Sequence, residues 1–476
     1  MKICIVAEGC YPYVVGGVSG WINSMINAFP NHEFVILAII SNREGSGKFA
    51  YELPSNVSAV YEAYLDDYDW NSEHKKNAKR LKLGVKQYNA LRSVIMGQNT
   101  EWGVLFDLFQ NSEISIDSLL MGEDFFRIVQ ECYDKDYSQI VFSDFLWTMR
   151  SIYLPLFLIL NTRIPKADIY HCVATGYAGV LGGMAKHKFK CPLMISEHGI
   201  YTREREEEIL KASWVGGIYK SIWIDQFRKM SRLAYEKADV VTALYSHAKE
   251  LQIDIGCPEY KIEITPNGIA VESFENLPEK SEEEKRYIQI GAVLRVTPIK
   301  DVKTMIQAFS YAKERVPDLR LYIMGPVDED ETYAHECFDL VKSLGVQDVI
   351  FTGRINVKDY LGRMDYTILT SISEGQPLTI LESFAAGKPV IATDVGNCEA
   401  LIHGEEGDEF GDAGILTHIM NTQEIAEAMV KLAKNDTMRQ QMGEVGLKRV
   451  REYYRVEYMR DKYKELYNRL RDIRNS

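Results

Sequence analysis

Two carboxylates and a helix start carry the clearest chemical signal in the chain. Residues 373–382 read SEGQPLTILE, which spaces Glu374 and Glu382 as E-x7-E. Glu374 falls in a strand-to-helix loop, and Pro377 suits the first helical position. At ~1.5 Å rise per residue, Glu382 then lies roughly 7–8 Å along the helix. Between the two acids, Gly375, Gln376, Leu378 and Thr379 surround the free N–H groups of a helix N-terminus, a site that suits a diphosphate. One carboxylate for sugar hydroxyls, one for ribose hydroxyls and an anion site between them is what a nucleotide-sugar requires. An isolated pair of glutamates is more often solvated, so the reading rests on what surrounds it. Arg295 and Lys300, in GAVLRVTPIK, leave another strand and are placed to neutralise a leaving diphosphate. A charge pair at 4 Å contributes ~4 kcal/mol at an effective dielectric of ~20.

Other residues carry weaker signals. His198 follows the strand LMIS in SEHGIY, and His171 ends DIYH; a lone histidine after a strand is more often structural. Gly16 and Gly17 lie between a strand and a helix, where glycine lets backbone approach a ligand, yet no GxGxxG is present. The acidic stretches 328–330 (DED) and 66–69 (DDYD) are possible metal ligands but read better as solvated loops. Residues 203–208 (REREEE) and 405–412 also read as solvated, as does the basic run 75–86, which otherwise suits docking to a membrane partner. No metal is expected.

These residues need elements to hold them. Residues 3–7 and 34–40 are continuous apolar runs, the pattern of strands buried on both faces of a parallel sheet, with a helix over 19–29 between them. From about 60 to 165 the spacing turns helical, at 78–95 and 125–133, and reads as an insertion. Strands resume at 169–171, 193–196, 240–243 and 262–264. Residues 276–285 (NLPEKSEEEK) are polar, lack apolar periodicity and read as a linker. A more regular βα series follows, with strands at 287–294, 319–325, 349–352, 366–370 and 389–393. Helices fit at 302–315, 332–344, 357–363 and 377–386, and paired helices at 424–453. The expectation is two Rossmann-like α/β domains, 1–275 and 286–455, facing across a cleft, and an amphipathic helix over 456–476 that crosses to either domain.

Composition narrows the class. A length of 476 residues exceeds one compact core. Lys+Arg of 55 against Asp+Glu of 68 gives a net charge of −13, a poor match to nucleic acid or to a broad anionic membrane surface. The 8 cysteines are scattered without CxxC spacing, as in a reduced, cytoplasmic protein. The opening MKICIVA is too short for a leader core, and the apolar run 152–160 is about half the ~20 residues of a spanning helix.

Together the motifs resemble the retaining glycosyltransferases of family 4, which have the GT-B fold. Glu374 and Glu382 match that family's E-x7-E motif, and FAAGKPVIATDVG is similar to the segment after it. GAVLRVTPIK resembles its basic pair after the first strand of the second domain. TPNGI at 265–269 resembles its turn at the domain junction, and FTGR at 351–354 its base-binding turn. The stretches VAEGCYPYVVGGVSGWI, ISEHGIYTREREEEI and GPVDEDETY, with the long insertion, are similar to the exopolysaccharide-system members of the family. An ordinary member lacks so long an insertion.

The resemblance implies transfer of a hexose from a UDP-sugar, UDP-glucose first, to a growing polysaccharide, with retention and without a metal. It implies that Arg295, Lys300 and the N–H groups near Leu378 and Thr379 hold the diphosphate, and that Glu374 holds the sugar. Glu382 takes the ribose, Arg354 lies by the base, His198 helps hold the transferred sugar, and Gly16 and Gly17 close on phosphate or acceptor. Membrane-embedded synthase subunits are the implied partners, recruiting the chain to the inner face of the membrane. Two other functions fit the same layout: a UDP-sugar 2-epimerase, and a nucleotide-sugar-binding subunit without turnover.

Overall fold

The computed structural model describes residues 1–68, 82–97, 99–111 and 114–475. The chain divides into two compact units, Met1–Ala243 with Lys249–Ile264 and Lys464–Ser476, and Leu244–Ala248 with Thr265–Tyr463. The division thus falls between Ile264 and Thr265, and the polar segment 276–285 lies inside the second unit.

The first unit is built on seven parallel strands, β1 (Lys2–Glu8), β2 (Glu33–Ile40), β3 (Val57–Tyr64), β4 (Ile169–Cys172), β5 (Leu193–Ser196), β6 (Val240–Ala243) and β7 (Ile262–Ile264). Their order is β3-β2-β1-β4-β5-β6-β7. The second unit has six, β8 (Ile288–Val293), β9 (Leu319–Met324), β10 (Val349–Gly353), β11 (Tyr366–Leu369), β12 (Val390–Thr393) and β13 (Gly414–Thr417), in the order β10-β9-β8-β11-β12-β13. Every pairing in both sheets is parallel. Each is a doubly wound sheet whose order reverses once, between β1 and β4 and between β8 and β11. Ligands of such sheets bind beyond the carboxyl ends of the strands at that reversal.

Apolar residues explain the layers. Ile3–Ala7 and Phe34–Ile39 are buried because helices cover both faces of their strands. In the second unit, Ile290, Leu321, Ile323 and Ile368 meet Met305, Phe309 and Met429 from the covering helices. Leu369, Ala392, Ile380 and Phe384 form the core of the other face.

Between β3 and β4 lie the helices Val85–Ile95, Trp102–Asn111, Ile116–Leu120, Glu123–Cys132 and Phe142–Leu160. The first part of the basic run, 75–81, lies outside the described residues, as does the start of the helix expected over 78–95. Among the described residues no helix is long and apolar enough to cross a membrane.

Two strands escaped the sequence pattern. β3 lies where the insertion was expected to begin, and it is an edge strand paired only to β2. Its sequence VSAVYEAY mixes polar residues with apolar ones and leaves Tyr61 46% exposed, so no continuous apolar run marks it. β13 is a four-residue edge strand beside the acidic stretch 405–412. That stretch is not wholly solvated: Asp408 is buried against Arg449, whose Nε donates to it at 2.5 Å.

Candidate functional site

In the second unit the residues expected at a donor site converge on the reversal between β8 and β11. Arg295 and Lys300 follow β8, and Glu374 follows β11. Two hydrogen bonds tie these loops together. The Ile372 N–H donates to the Ile299 carbonyl at 2.9 Å, and Thr370 Oγ1 donates to the Lys300 carbonyl at 2.9 Å. As a result Lys300 Nζ forms an ion pair with Glu374, with both side chains more than four-fifths buried. Ser371 Oγ donates to the same Glu374 oxygen at 2.5 Å.

The loop is braced from below. Gly396 has φ +56, and a Cβ there would lie 2.2 Å from the Glu374 carbonyl oxygen. Only glycine lets the segment after β12 approach so closely. The Asn267 N–H donates to Gln376 Oε1 at 2.6 Å, so the 265–269 turn grips the loop from the side. Among the described residues, the buried polar atoms without a partner in these loops include Thr265 Oγ1, Thr297 Oγ1, Asp301 Oδ2, Gln376 Nε2 and Asn397 Nδ2.

The helix beyond is Leu378–Ala385, and Pro377 is its N-cap rather than its first helical residue. Glu382 lies within it, half-buried, and burial pushes its carboxyl up to about 7, with Lys358 opposing. Arg295 and Arg354 do not stand free. Arg295 Nη1 donates to Glu329 at 2.8 Å, and Arg354 Nη2 donates to Asp328 at 3.2 Å. Asp330 accepts from the Tyr333 N–H at 2.9 Å and caps the next helix. The DED stretch is therefore a solvated loop, as expected from sequence, whose exposed Asp328 and Glu329 also pair with the two cations.

In the first unit, His198 follows β5 with its ring 4.3 Å from that of Trp21. Its Nε2 is buried and has no partner, and burial lowers its pKa to about 4, so the ring is neutral at pH 7. His171 is fully buried between Ser196 Oγ and Tyr467 OH, each at 2.8 Å, so it packs the core. Gly16 is extended at φ 179, and a Cβ on Gly16 or Gly17 would meet nothing within 4 Å. The backbone there does not demand glycine. Asp67 of the DDYD stretch is held by Arg43, with Nε at 2.8 Å, and Asp69 lies outside the described residues. Among the described residues no group of three or more His, Cys, Asp or Glu side chains is placed to hold a metal.

Comparison with known families covers both units. Residues 1–260 match the family described as Domain of unknown function (DUF3492), and residues 273–449 match Glycosyl transferases group 1. The chain belongs to the DUF3492 family. Behind its DUF3492 half it carries a group 1 glycosyl transferase domain. The chain is 33% identical over 198 residues to N-acetyl-alpha-D-glucosaminyl L-malate synthase of Bacillus anthracis, covering 41% of this chain and 48% of that protein. It therefore spans about half the length of that relative. It is 22% identical over 308 residues to MMP alpha-(1->4)-mannosyltransferase of Mycolicibacterium hassiacum, covering 62% of this chain and 69% of that one. Among solved structures, Anabaena HepE in complex with UDP-glucose aligns with a TM-score of 0.62 at 15% identity, over 98% of this chain and 99% of that one. The fold is GT-B.

Some residues of the DUF3492 half were not singled out in the sequence. Glu197 is buried and accepts from Tyr235 OH at 2.5 Å, Gln252 Nε2 at 3.1 Å and Thr175 Oγ1 at 3.1 Å. That network fixes the backbone next to His198. Glu8, at the end of β1, accepts from Tyr201 OH at 2.7 Å and from the Ala178 N–H at 3.0 Å. An acid directly after an apolar strand was the available signal for both.

Proposed function

We propose that this DUF3492 protein is a retaining glycosyltransferase that moves a hexose from a UDP-sugar to a growing exopolysaccharide. The observation that carries the reading is the buried Lys300–Glu374 pair at the β8/β11 reversal, directly before the free N-terminus of the helix Leu378–Ala385. UDP-glucose is the first donor to try. The sequence likeness of the first half to PelF, the glycosyltransferase of Pel polysaccharide systems in biofilm formation, supports an exopolysaccharide acceptor. A membrane-embedded synthase would then be the partner that recruits the chain to the inner face of the membrane.

In this reading Lys300 exchanges Glu374 for a phosphate oxygen when the donor binds. Arg295 and the N–H groups of Leu378 and Thr379 complete the diphosphate site, alongside Gly375, Gln376 and Pro377. Charge grows on the diphosphate as the glycosidic bond breaks, so fixed cations stabilise the transition state more than the ground state. Glu374, released by Lys300, accepts hydrogen bonds from the donor's sugar hydroxyls, and Glu382 accepts from the ribose. Arg354 lies by the base through its backbone. His198 offers a neutral, unpartnered Nε2 to a sugar hydroxyl. Retention follows from attack on the face the diphosphate leaves, with a phosphate oxygen taking the acceptor's proton. No metal takes part in this scheme.

Isothermal titration with UDP and a panel of UDP- and GDP-sugars tests the reading. The wild type should bind UDP and one UDP-hexose, and Arg295→Ala/Lys300→Ala should lose both by 10²-fold or more. Binding indifferent to the two substitutions would sink the diphosphate assignment. Release of an epimerised sugar without an acceptor would identify a 2-epimerase. Binding without turnover would identify a regulatory subunit.

A further inference from the structure

The first unit contains a cavity of about 520 Å³ beside the carboxyl ends of β1 and β2. The helices Tyr201–Lys211 and Gly217–Lys237 and the turn between them line it on one side, with Tyr13, Leu65, Pro155 and Tyr177 among the other lining residues. Its volume is in the range of small-molecule sites. Two kinds of side chain line it. Trp214, Trp223 and Phe227 supply aromatic surface. The Trp214 and Trp223 rings meet edge to face at 6.4 Å and 82°, while Trp223 and Phe227 stack at 5.6 Å and 27°. Trp214 is 73% exposed, so its contact with Trp223 leaves most of a large aromatic open to solvent. Glu8, Arg205 and Glu208 supply charge, with Arg205 Nη1 donating to Glu208 at 2.5 Å and its guanidinium 5.2 Å from the Tyr201 ring centroid.

We propose that this cavity binds a neutral saccharide segment of the acceptor, with a pyranose ring stacked on Trp214. A pyranose has an apolar C–H face that suits an aromatic face and a rim of neighbouring hydroxyls. A guanidinium donates in a planar fork and a carboxylate accepts on two oxygens, which suits paired hydroxyls. A lipid chain fits the lining less well, because it would cover the Arg205–Glu208 pair without meeting the guanidinium's remaining donors. An anionic headgroup fits least. Glu8 and Glu208 outweigh Arg205 in the cavity, and along the same helix Glu204, Glu206, Glu207 and Glu208 slightly outnumber Arg203, Arg205 and Lys211. The identification of the saccharide as acceptor rests on the glycosyltransferase reading; the binding of a saccharide does not.

The test uses the full chain, with maltotetraose, cellotetraose and chitotetraose as probes, read by tryptophan fluorescence and isothermal titration. UDP and phosphatidylcholine/phosphatidylglycerol vesicles are titrated into the same samples. At least one tetrasaccharide should bind the wild type and shift the tryptophan emission. Trp214→Ala should weaken that binding at least tenfold, Trp214→Phe less than threefold, and UDP affinity should be the same in all three. Trp214 is exposed, so neither variant threatens folding. Failure of every tetrasaccharide, wild-type affinity in Trp214→Ala, or vesicle binding alone would overturn the proposal. Tetrasaccharide binding without UDP binding would leave the cavity assigned and remove the donor reading instead.

Discussion

Glu382 shows how one side chain reports on the site around it. Burial lifts its pKa to about 7, above the ordinary 4.5. The sign follows from linkage: the folded state holds this proton more tightly than the unfolded chain, so its contribution falls as pH rises from about 4.5 to about 7 and stays unfavourable above that. The difference is on the order of 3 kcal/mol. Glu382→Gln should therefore melt at a higher temperature than wild type at pH 8 and close to it at pH 5. An ionised carboxylate accepts from a hydroxyl more strongly than a neutral one. If Glu382 takes the ribose as proposed, wild-type affinity for UDP-glucose should rise between pH 6 and pH 8, and Glu382→Gln should bind more weakly without that slope. A melting difference that is the same at both pH values would mean that burial does not govern this carboxyl. Residue types and spacing made Glu374, Glu382, Arg295 and Lys300 legible in the sequence. Their pairing was not, because Lys300 and Glu374 lie 74 positions apart and meet only through the sheet.

Elements read well where apolar residues lie close together, including the edge strands β7 and β10, and poorly where they do not. β1 and β2 hold continuous apolar runs and β8 (IQIGAV) and β9 (LRLYIM) are mostly apolar, so the sequence marks them, whereas β3 carries mixed residues and β13 is only four residues long. Loops read least, since their conformation depends on distant partners. The 328–330 loop after β9 is such a case. Its Asp328 and Glu329 occupy the guanidinium groups of Arg354 and Arg295, so a diphosphate at Arg295, as proposed, would compete with Glu329. Exposed pairs of this kind contribute about 0.2–1 kcal/mol. Glu329→Ala should thus tighten UDP binding by roughly 1.5- to fivefold at low salt, with a smaller gain at high salt. Calorimetry at two ionic strengths reads this directly. Weaker binding in the variant would instead make Glu329 part of the nucleotide site.

At the scale of the molecule, the two units should respond separately to ligand and to mutation, because each has its own sheet and its own core. The proposed UDP-binding side chains Arg295, Lys300 and Glu382 belong to the second unit, as does Glu374, whereas His198 of the first is proposed to meet only the transferred sugar. UDP at 100 times its Kd stabilises whatever folds around it by about 2.7 kcal/mol. The terminal helix Val456–Asn475 contributes from Lys464 onward to the first unit, where Tyr467 OH meets the buried His171 ring at 2.8 Å. Tyr467→Phe removes that hydrogen bond from a buried ring nitrogen, an unfavourable change of about 1–3 kcal/mol. Hydrogen exchange resolves the two effects by peptide. UDP should slow exchange in β8 and β11, and Tyr467→Phe should speed it in β4 and β5 while leaving UDP affinity unchanged. Should UDP protect β4 and β5 as strongly as β8 and β11, or should Tyr467→Phe weaken UDP binding, the units would not respond separately, and residues of the first would have to be counted in the UDP site.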